Sequence, residues 1–254
     1  MEWAQRRKII AWGIFGAVVA ALLAILAIAI LYQTPTCIDQ KQNQGETGID
    51  CGGPCKAACT AAQRPAQVRF ARAVMPGGNR TDVIAYIDNP NAGASAQGVH
   101  GTVTVYDAAH ALLASKDVTF DLSPGGLTPL LLIGILSSST AVTQTFLTIE
   151  DANVRWVRST DKPVVPTVKN LAWQNTDTPR VTATLVNPIA KPLTDVRLVA
   201  TVFDASGTAI AASSTIVPSV PAQGTAQAVF TWNVPFAGEP ARVEILPVVS
   251  LGAL

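Results

Sequence analysis

The residues with the greatest chemical potential in this 254-residue chain crowd into one short stretch. All four cysteines, Cys37, Cys51, Cys55 and Cys59, fall within CIDQKQNQGETGIDCGGPCKAAC. A segment so short and polar cannot bury a core, so an ordered form needs cross-links or a metal. The spacing C-x13-C-x3-C-x3-C lacks the C-x2-C knuckles of most zinc sites, and no histidine is near. Two disulfides are therefore the expected state, with three pairings open. The same loop carries Asp39, Asn43, Glu46 and Asp50, whose oxygens could hold Ca²⁺. Their spacing departs from the EF-hand pattern, and a solvated loop turned by Gly45, Gly48, Gly52 and Gly53 is the plainer expectation. Convergence of Asp39, Glu46 and Asp50 on one point would support the ion; splayed carboxylates would count against it. No other cofactor is expected.

Little else in the chain suggests catalysis. His100 sits at an outward strand position and His110 in the following hairpin loop, and neither has a neighbour resembling a triad or metal site. There is no G-x-S-x-G, H-E-x-x-H or phosphate-binding glycine loop. Asp107 and Asp204 recur at matching places, where an Asp can hydrogen-bond its own backbone two residues on and so fix a turn. Asn79-Arg80-Thr81 matches a glycosylation sequon, which matters only in a host that uses it. Trp156, Trp173 and Trp232 read as core or inter-domain packing, and Leu130–Leu136 as a buried strand. A net charge of +1, with 14% charged residues and no basic stripe, gives no sign of a nucleic-acid partner. The chain reads as no enzyme; a hydrolase would need His100 or His110 paired with a carboxylate in a pocket.

These groups must be placed by something, and the first positioning element is Ile9–Tyr32, 24 residues without a charge. As a helix it reaches about 36 Å, enough to cross a hydrocarbon core of about 30 Å with some tilt. Trp12 and Tyr32 suit the two interfaces. Arg6, Arg7 and Lys8 precede it, and Lys41 is the only basic residue in the next 20. The positive-inside rule then puts residues 1–8 in the cytoplasm and the rest outside, where disulfides persist. A cleaved signal peptide would have a shorter apolar region. Ala27-Ile28-Ala29 fits a cleavage box but lies inside the apolar run, and Thr34-Pro35-Thr36 before Cys37 is no lipoprotein box. Small residues form two rows, Gly13, Ala17, Ala21 and Gly16, Ala20, Ala24, which would let two helices approach; an Ala-rich helix with no such partner is the simpler reading.

After the cysteine module at 33–63 the chain reads as two similar halves, 64–160 and 161–254. Val83, Ala85, Ile87, Asn89-Pro90 returns 98 positions later as Val181, Ala183, Leu185, Asn187-Pro188. Val99, Gly101, Val103, Val105 corresponds, 97 later, to Val196, Leu198, Ala200, Val202. Period two sends these toward a core, and His100, Thr102, Thr104, Tyr106 and Arg197, Val199, Thr201, Phe203 the other way. Further runs at Val68–Val74, Ser115–Leu122, Val142–Glu150 and Val154–Arg158 fill the first half. Val165–Gln174, Ile210–Val217, Ala226–Trp232 and Arg242–Val249 fill the second. The fold class is mainly β: an N-terminal transmembrane helix, a disulfide-stapled module and two tandem antiparallel sandwiches of the immunoglobulin or fibronectin type III kind.

Two stretches resemble known families. Cys37, Asp39, Asn43 to Glu46, Asp50 to Gly53, Cys55 and Cys59 resemble a cysteine motif, N-Q-G-E-T-G-x-D-C-G-G-x-C, of exported and surface bacterial proteins. Val103-x-Val105-Tyr106-Asp107 and Ala200-x-Val202-Phe203-Asp204 resemble the F-x-L-y-D family of extracytoplasmic β-domains, with Val103 and Ala200 in place of the leading Phe. The whole order is similar to membrane-anchored proteins of small-genome bacteria. The resemblance implies an extracytoplasmic location and no defined activity. The expected function is non-catalytic: a single-pass protein, held in membrane lipid by residues 9–32, that presents β-domains for contact with an envelope protein. A Ca²⁺-dependent adhesion module is the alternative. A pilin is excluded, because the apolar run contains no acid and no Gly precedes it.

Overall fold

The computed structural model describes residues 3–31, 36–138, 140–151, 154–159 and 163–251. Tyr32, expected at the far membrane interface, and Asp161 and Lys162, expected at the domain boundary, lie outside the described residues. The chain divides into two compact bodies, Met1–Cys55 and Lys56–Leu254.

The first body begins with helix α1 (Trp3–Leu31), which runs from the basic flank through the apolar stretch without a break. Over Arg6–Ile28 it is long and apolar enough to cross a membrane, and none of that window is buried in protein. A Cβ added at Gly13 or Gly16 meets nothing within 4 Å, so the small-residue rows pack on no other part of the chain. The loops that follow are held by turns and one β-bridge, Gly48 to Cys51.

The second body is built of strands. In chain order these are β1 (Gln67–Gly77), β2 (Arg80–Asn89), β3 (Ala94–Tyr106), β4 (Leu112–Leu122), β5 (Gly126–Leu136), β6 (Gln144–Ile149) and β7 (Trp156–Arg158). Then follow β8 (Thr167–Gln174), β9 (Arg180–Val186), β10 (Leu193–Phe203), β11 (Ala209–Val220), β12 (Thr225–Thr231) and β13 (Arg242–Val248). They form four antiparallel sheets. In the first sandwich β1-β2-β5 faces β4-β3-β6, with β7 also paired to β3. In the second, β8-β9-β12 faces β11-β10-β13. Strand for strand the two orders coincide, so the sequence repeat is a repeat of topology.

Period two holds in both copies. Val83, Ala85, Ile87, Val99, Val103 and Val105 enter the first core; Val181, Ala183, Leu185, Leu198, Ala200 and Val202 enter the second. The Asn-Pro positions are explained by hydrogen bonding. Asn89 and Asn187 are buried at the ends of β2 and β9. Asn89 donates to the carbonyls of Ala94 and Ser123, both at 2.8 Å, and its Oδ1 accepts from the Asn91 backbone at 3.0 Å. Asn187 donates to Lys191 O at 2.8 Å and Pro221 O at 2.9 Å and accepts from Ile189 N–H. Each side chain satisfies carbonyls that the chain reversal would leave orphaned.

Two expectations need correction. Trp156 and Trp232 are core residues, but Trp173 is 39% exposed, because β8 is an edge strand with only one neighbour. Leu130–Leu136 is a strand, but β5 is likewise an edge, so it is half-buried and Ile133 is 52% exposed. The cysteine segment also ends differently from a free module. The backbone N–H of Ala58 donates to Trp156 O at 2.9 Å and that of Arg158 to Lys56 O at 2.8 Å, so Lys56–Ala58 extends the sheet beside β7.

The sandwiches are joined by a third apolar cluster. Val74, Ile84 and Tyr86 of β1 and β2 pack against Val199, Phe203, Ala209 and Ala212 of β10 and β11. The outward face of one sheet in the first domain thus covers the outward face of the non-equivalent sheet in the second.

Candidate functional site

Two places concentrate interacting side chains: the cysteine loop and the seam between the sandwiches. In the loop, Cys37 and Cys55 form a disulfide with their Cα atoms 5.7 Å apart. Cys51 and Cys59 are disulfide-bonded as well, so none of the four thiols is free. The loop is folded by its acids. Asp39 Oδ1 accepts the Lys41 N–H at 3.0 Å and Oδ2 accepts Asn43 Nδ2 at 2.8 Å and the Thr36 N–H at 3.3 Å. The Asn43 amide, with the Thr36 and Lys41 backbone and the Lys41 charge, holds the Asp39 carboxyl below its ordinary range against the opposing effect of burial. Both oxygens of Asp50 accept the Gln40 N–H, at 2.9 and 3.1 Å. Glu46 Oε2 accepts the Asn43 N–H at 3.2 Å.

Asp39, Asn43, Glu46 and Asp50 therefore share one loop, in which Asn43 bonds to both Asp39 and Glu46 while Asp50 holds the Gln40 N–H. Among the described residues, the group whose ligand atoms lie within 4.8 Å of one another is Cys37, Glu46 and Cys55; Asp39 and Asp50 stand outside it.

At the seam, Phe70 lies 4.7 Å from Tyr86 and 5.9 Å from Phe203, centroid to centroid, and the Arg242 guanidinium sits 4.1 Å over the Phe203 ring. Burial raises the Tyr86 hydroxyl above its ordinary range, while Thr201 and Arg242 pull the other way. Thr201 Oγ is near enough to act on Tyr86, yet the pair falls short of hydrogen-bond geometry and neither hydroxyl has another partner. The C-terminal strap crosses the same seam. Leu251 N–H donates to Asp121 Oδ2 at 2.9 Å, and Gln97 Nε2 donates to Leu251 O. Beside the strap runs an open groove of about 410 Å³, lined in part by Asp121, Leu131, Arg197, Ile216 and Val249.

The histidines stay apart from both places. His100 meets Thr119 at 3.5 Å and His110 meets Gln144 at 3.2 Å, both exposed. The recurring acids fasten turns. Asp107 Oδ1 accepts from Ala109 and Ala111 N–H, and Asp204 Oδ1 from Ser206 and Thr208 N–H, all at 2.8–2.9 Å.

No protein-family model and no curated protein matches this chain. Among solved structures it is similar to red sea bream transglutaminase, at 13% identity and a TM-score of 0.25. That match covers 73% of this chain and 31% of the transglutaminase, so the chain spans about a third of that protein. A likeness of that degree carries no inference about activity, and the functional reading rests on the residues alone.

Sequence reasoning passed over Phe70, Ile84, Tyr86 and Arg242. A signal was present. β2 reads Val83-Ile84-Ala85-Tyr86-Ile87, apolar on both faces, where its counterpart β9 alternates Val181-Thr182-Ala183-Thr184-Leu185. A strand apolar on both faces is buried on both.

Proposed function

We propose that the protein is a non-catalytic, single-pass envelope protein. Helix α1 spans the membrane with residues 1–8 in the cytoplasm, and the two sandwiches stand outside as one jointed body for contact with an envelope protein. The observation that carries this reading is the pairing of an apolar helix, unburied over Arg6–Ile28 and led by Arg6, Arg7 and Lys8, with a cysteine loop in which every thiol is oxidised. The first asks for lipid, and the second for an oxidising compartment. The resemblance of the cysteine loop and the Tyr106-Asp107 and Phe203-Asp204 turns to extracytoplasmic families points the same way.

The non-catalytic part rests on the places of the candidate groups among the described residues: His100 meets Thr119, His110 meets Gln144, and Asp107 and Asp204 are engaged in turns. The Ca²⁺ alternative draws less support, since Asp39 and Asp50 stand outside the one group of converging ligand atoms among the described residues. The direct test is a pair of C-terminal reporter fusions in the source cell. An alkaline phosphatase fusion should be active and a fluorescent protein that folds only in the cytoplasm should be dark. The reverse pattern would overturn the topology.

A further inference from the structure

One cluster in the first body is not absorbed by a display role. Cys37 Sγ, Cys55 Sγ and a carboxylate oxygen of Glu46 all lie within 4.8 Å of one another. Glu46 is 6% exposed and Cys55 1%. Glu46 Oε1 stands 3.0 Å from Cys55 Sγ, a sulfur that carries no proton while the disulfide is closed. The carboxylate receives the Asn43 N–H at 3.2 Å and Gln44 Nε2 at 3.4 Å, but among the described residues no cation pairs with it. A buried carboxylate facing sulfur without a cation is costly.

Contacts other than the disulfide also hold this arrangement: Asp39 Oδ2 accepts both the Thr36 N–H and Asn43 Nδ2, which ties the chain beside Cys37 to the turn that carries Glu46. Glu46 N–H donates to Asn43 O at 2.8 Å and Cys55 N–H to Gly52 O at 2.9 Å. Gly53, with φ +52°, lies so close to Gly45 that a Cβ would come within 2.1 Å of its carbonyl oxygen. Opening the S–S bond therefore leaves two thiols and a carboxylate gathered at one point.

We propose that the Cys37–Cys55 disulfide masks a metal site, and that a dithiol reductant unmasks it for a cation of the Zn²⁺ class. One thiolate of the reductant attacks a cysteine sulfur and breaks the S–S bond, forming a mixed disulfide. Its second thiol closes the reductant's own disulfide and releases the cysteine. The reductant has then given two electrons and two protons, and Cys37 and Cys55 are thiols. Zn²⁺ displaces those two protons to solvent and takes Sγ, Sγ and a Glu46 oxygen, at about 2.3 Å for sulfur and about 2.1 Å for oxygen, with a fourth place for water. Thiolate ligands select such an ion over Ca²⁺ or Mg²⁺. The closed disulfide offers no thiolate, so the site exists only in the reduced protein. The inference does not depend on which side of a membrane the loop occupies.

The test uses the full chain in detergent with Co²⁺ as the probe, after a dithiol reductant is added and then removed without oxygen. The reduced wild type should take up one Co²⁺ with a sulfur-to-metal absorption band, and the oxidised protein none. E46Q should bind at least tenfold more weakly, and C51S/C59S should still take up one ion. Peptide mapping before reduction checks that E46Q forms the Cys37–Cys55 bond; should it not, uptake by C51S/C59S decides. No uptake by the reduced wild type or by C51S/C59S, equal affinity in E46Q, or equal uptake by the oxidised chain each overturns the proposal.

Discussion

Phe203 of the second sandwich stands edge-on to Phe70 of the first, their centroids 5.9 Å apart at an interplanar angle of 79°. This contact sits in the apolar cluster that joins the two repeats. Truncation of a buried aromatic costs about 3–5 kcal/mol where the site cannot collapse. A seam at a domain boundary can relax more readily, so Phe203→Ala is expected to cost about 2–4 kcal/mol. Calorimetry should show a single unfolding transition for the full chain in detergent and a split or broadened one for the variant. A single unshifted transition in Phe203→Ala would show that the sandwiches are joined by other means.

The Tyr86 hydroxyl gives the seam a pH dependence. Its folded pKa is raised, so the folded state holds the phenolic proton more tightly than the unfolded chain does. The stability this contributes is complete below the ordinary tyrosine value of about 10 and is lost as pH rises through the folded value. Tyr86→Phe should flatten the alkaline decline of the melting temperature, and without a buried unpaired hydroxyl it should be no less stable at neutral pH. Spectroscopic titration should find one tyrosine ionising late in the wild type and none late in the variant.

The repeat itself was legible from residue types, because each sandwich buries one face of each strand and period two exposes that directly. The cysteine loop was legible as oxidised. The seam was harder to read, because it uses the outward parity. Thr102 and Tyr106 on β3 face solvent, whereas their counterparts Val199 and Phe203 on β10 are covered. Only the difference between the copies marks the face that docks, and a reading that looked for likeness passed over it. The loop acids were harder to read: oxygen-rich spacing is shared by ion ligands and by turn fasteners, and the spacing alone does not separate the two.

Asn89 and Asn187 should be equivalent in energetics as they are in place. Each loses several buried hydrogen bonds on truncation, at about 1–3 kcal/mol for each polar group left unpaired. Asn89→Ala and Asn187→Ala are each expected to destabilise by about 3 kcal/mol in denaturant titration, while Asn79→Ala, at an exposed turn whose φ of +58° Ala tolerates poorly, should cost only about 1 kcal/mol. A loss at one repeat only would break the equivalence.

Asp204 supplies an acid-side signature. Ser206 and the Thr208 N–H hold its carboxyl below the ordinary range, with Arg72 of the first sandwich contributing at longer reach. Its contribution is present above the unfolded value of about 3.8 and is lost as pH falls through the folded one. Asp204→Asn should reduce the acid-induced fall in melting temperature, and NMR titration of the carboxyl should show a midpoint below that of an unstructured Asp.

In the function proposed above, an uncleaved helix presents the oxidised loop and the joined sandwiches outside the membrane. Impermeant labelling of intact spheroplasts tests it most directly. Cells are treated with an impermeant reductant and an impermeant maleimide, and the protein is then extracted and weighed by mass spectrometry. The account predicts a mass that retains the segment from Arg6 to Ile28 and four labels on each chain. A mass lacking that segment, or labels acquired only after the membrane is opened, would contradict it.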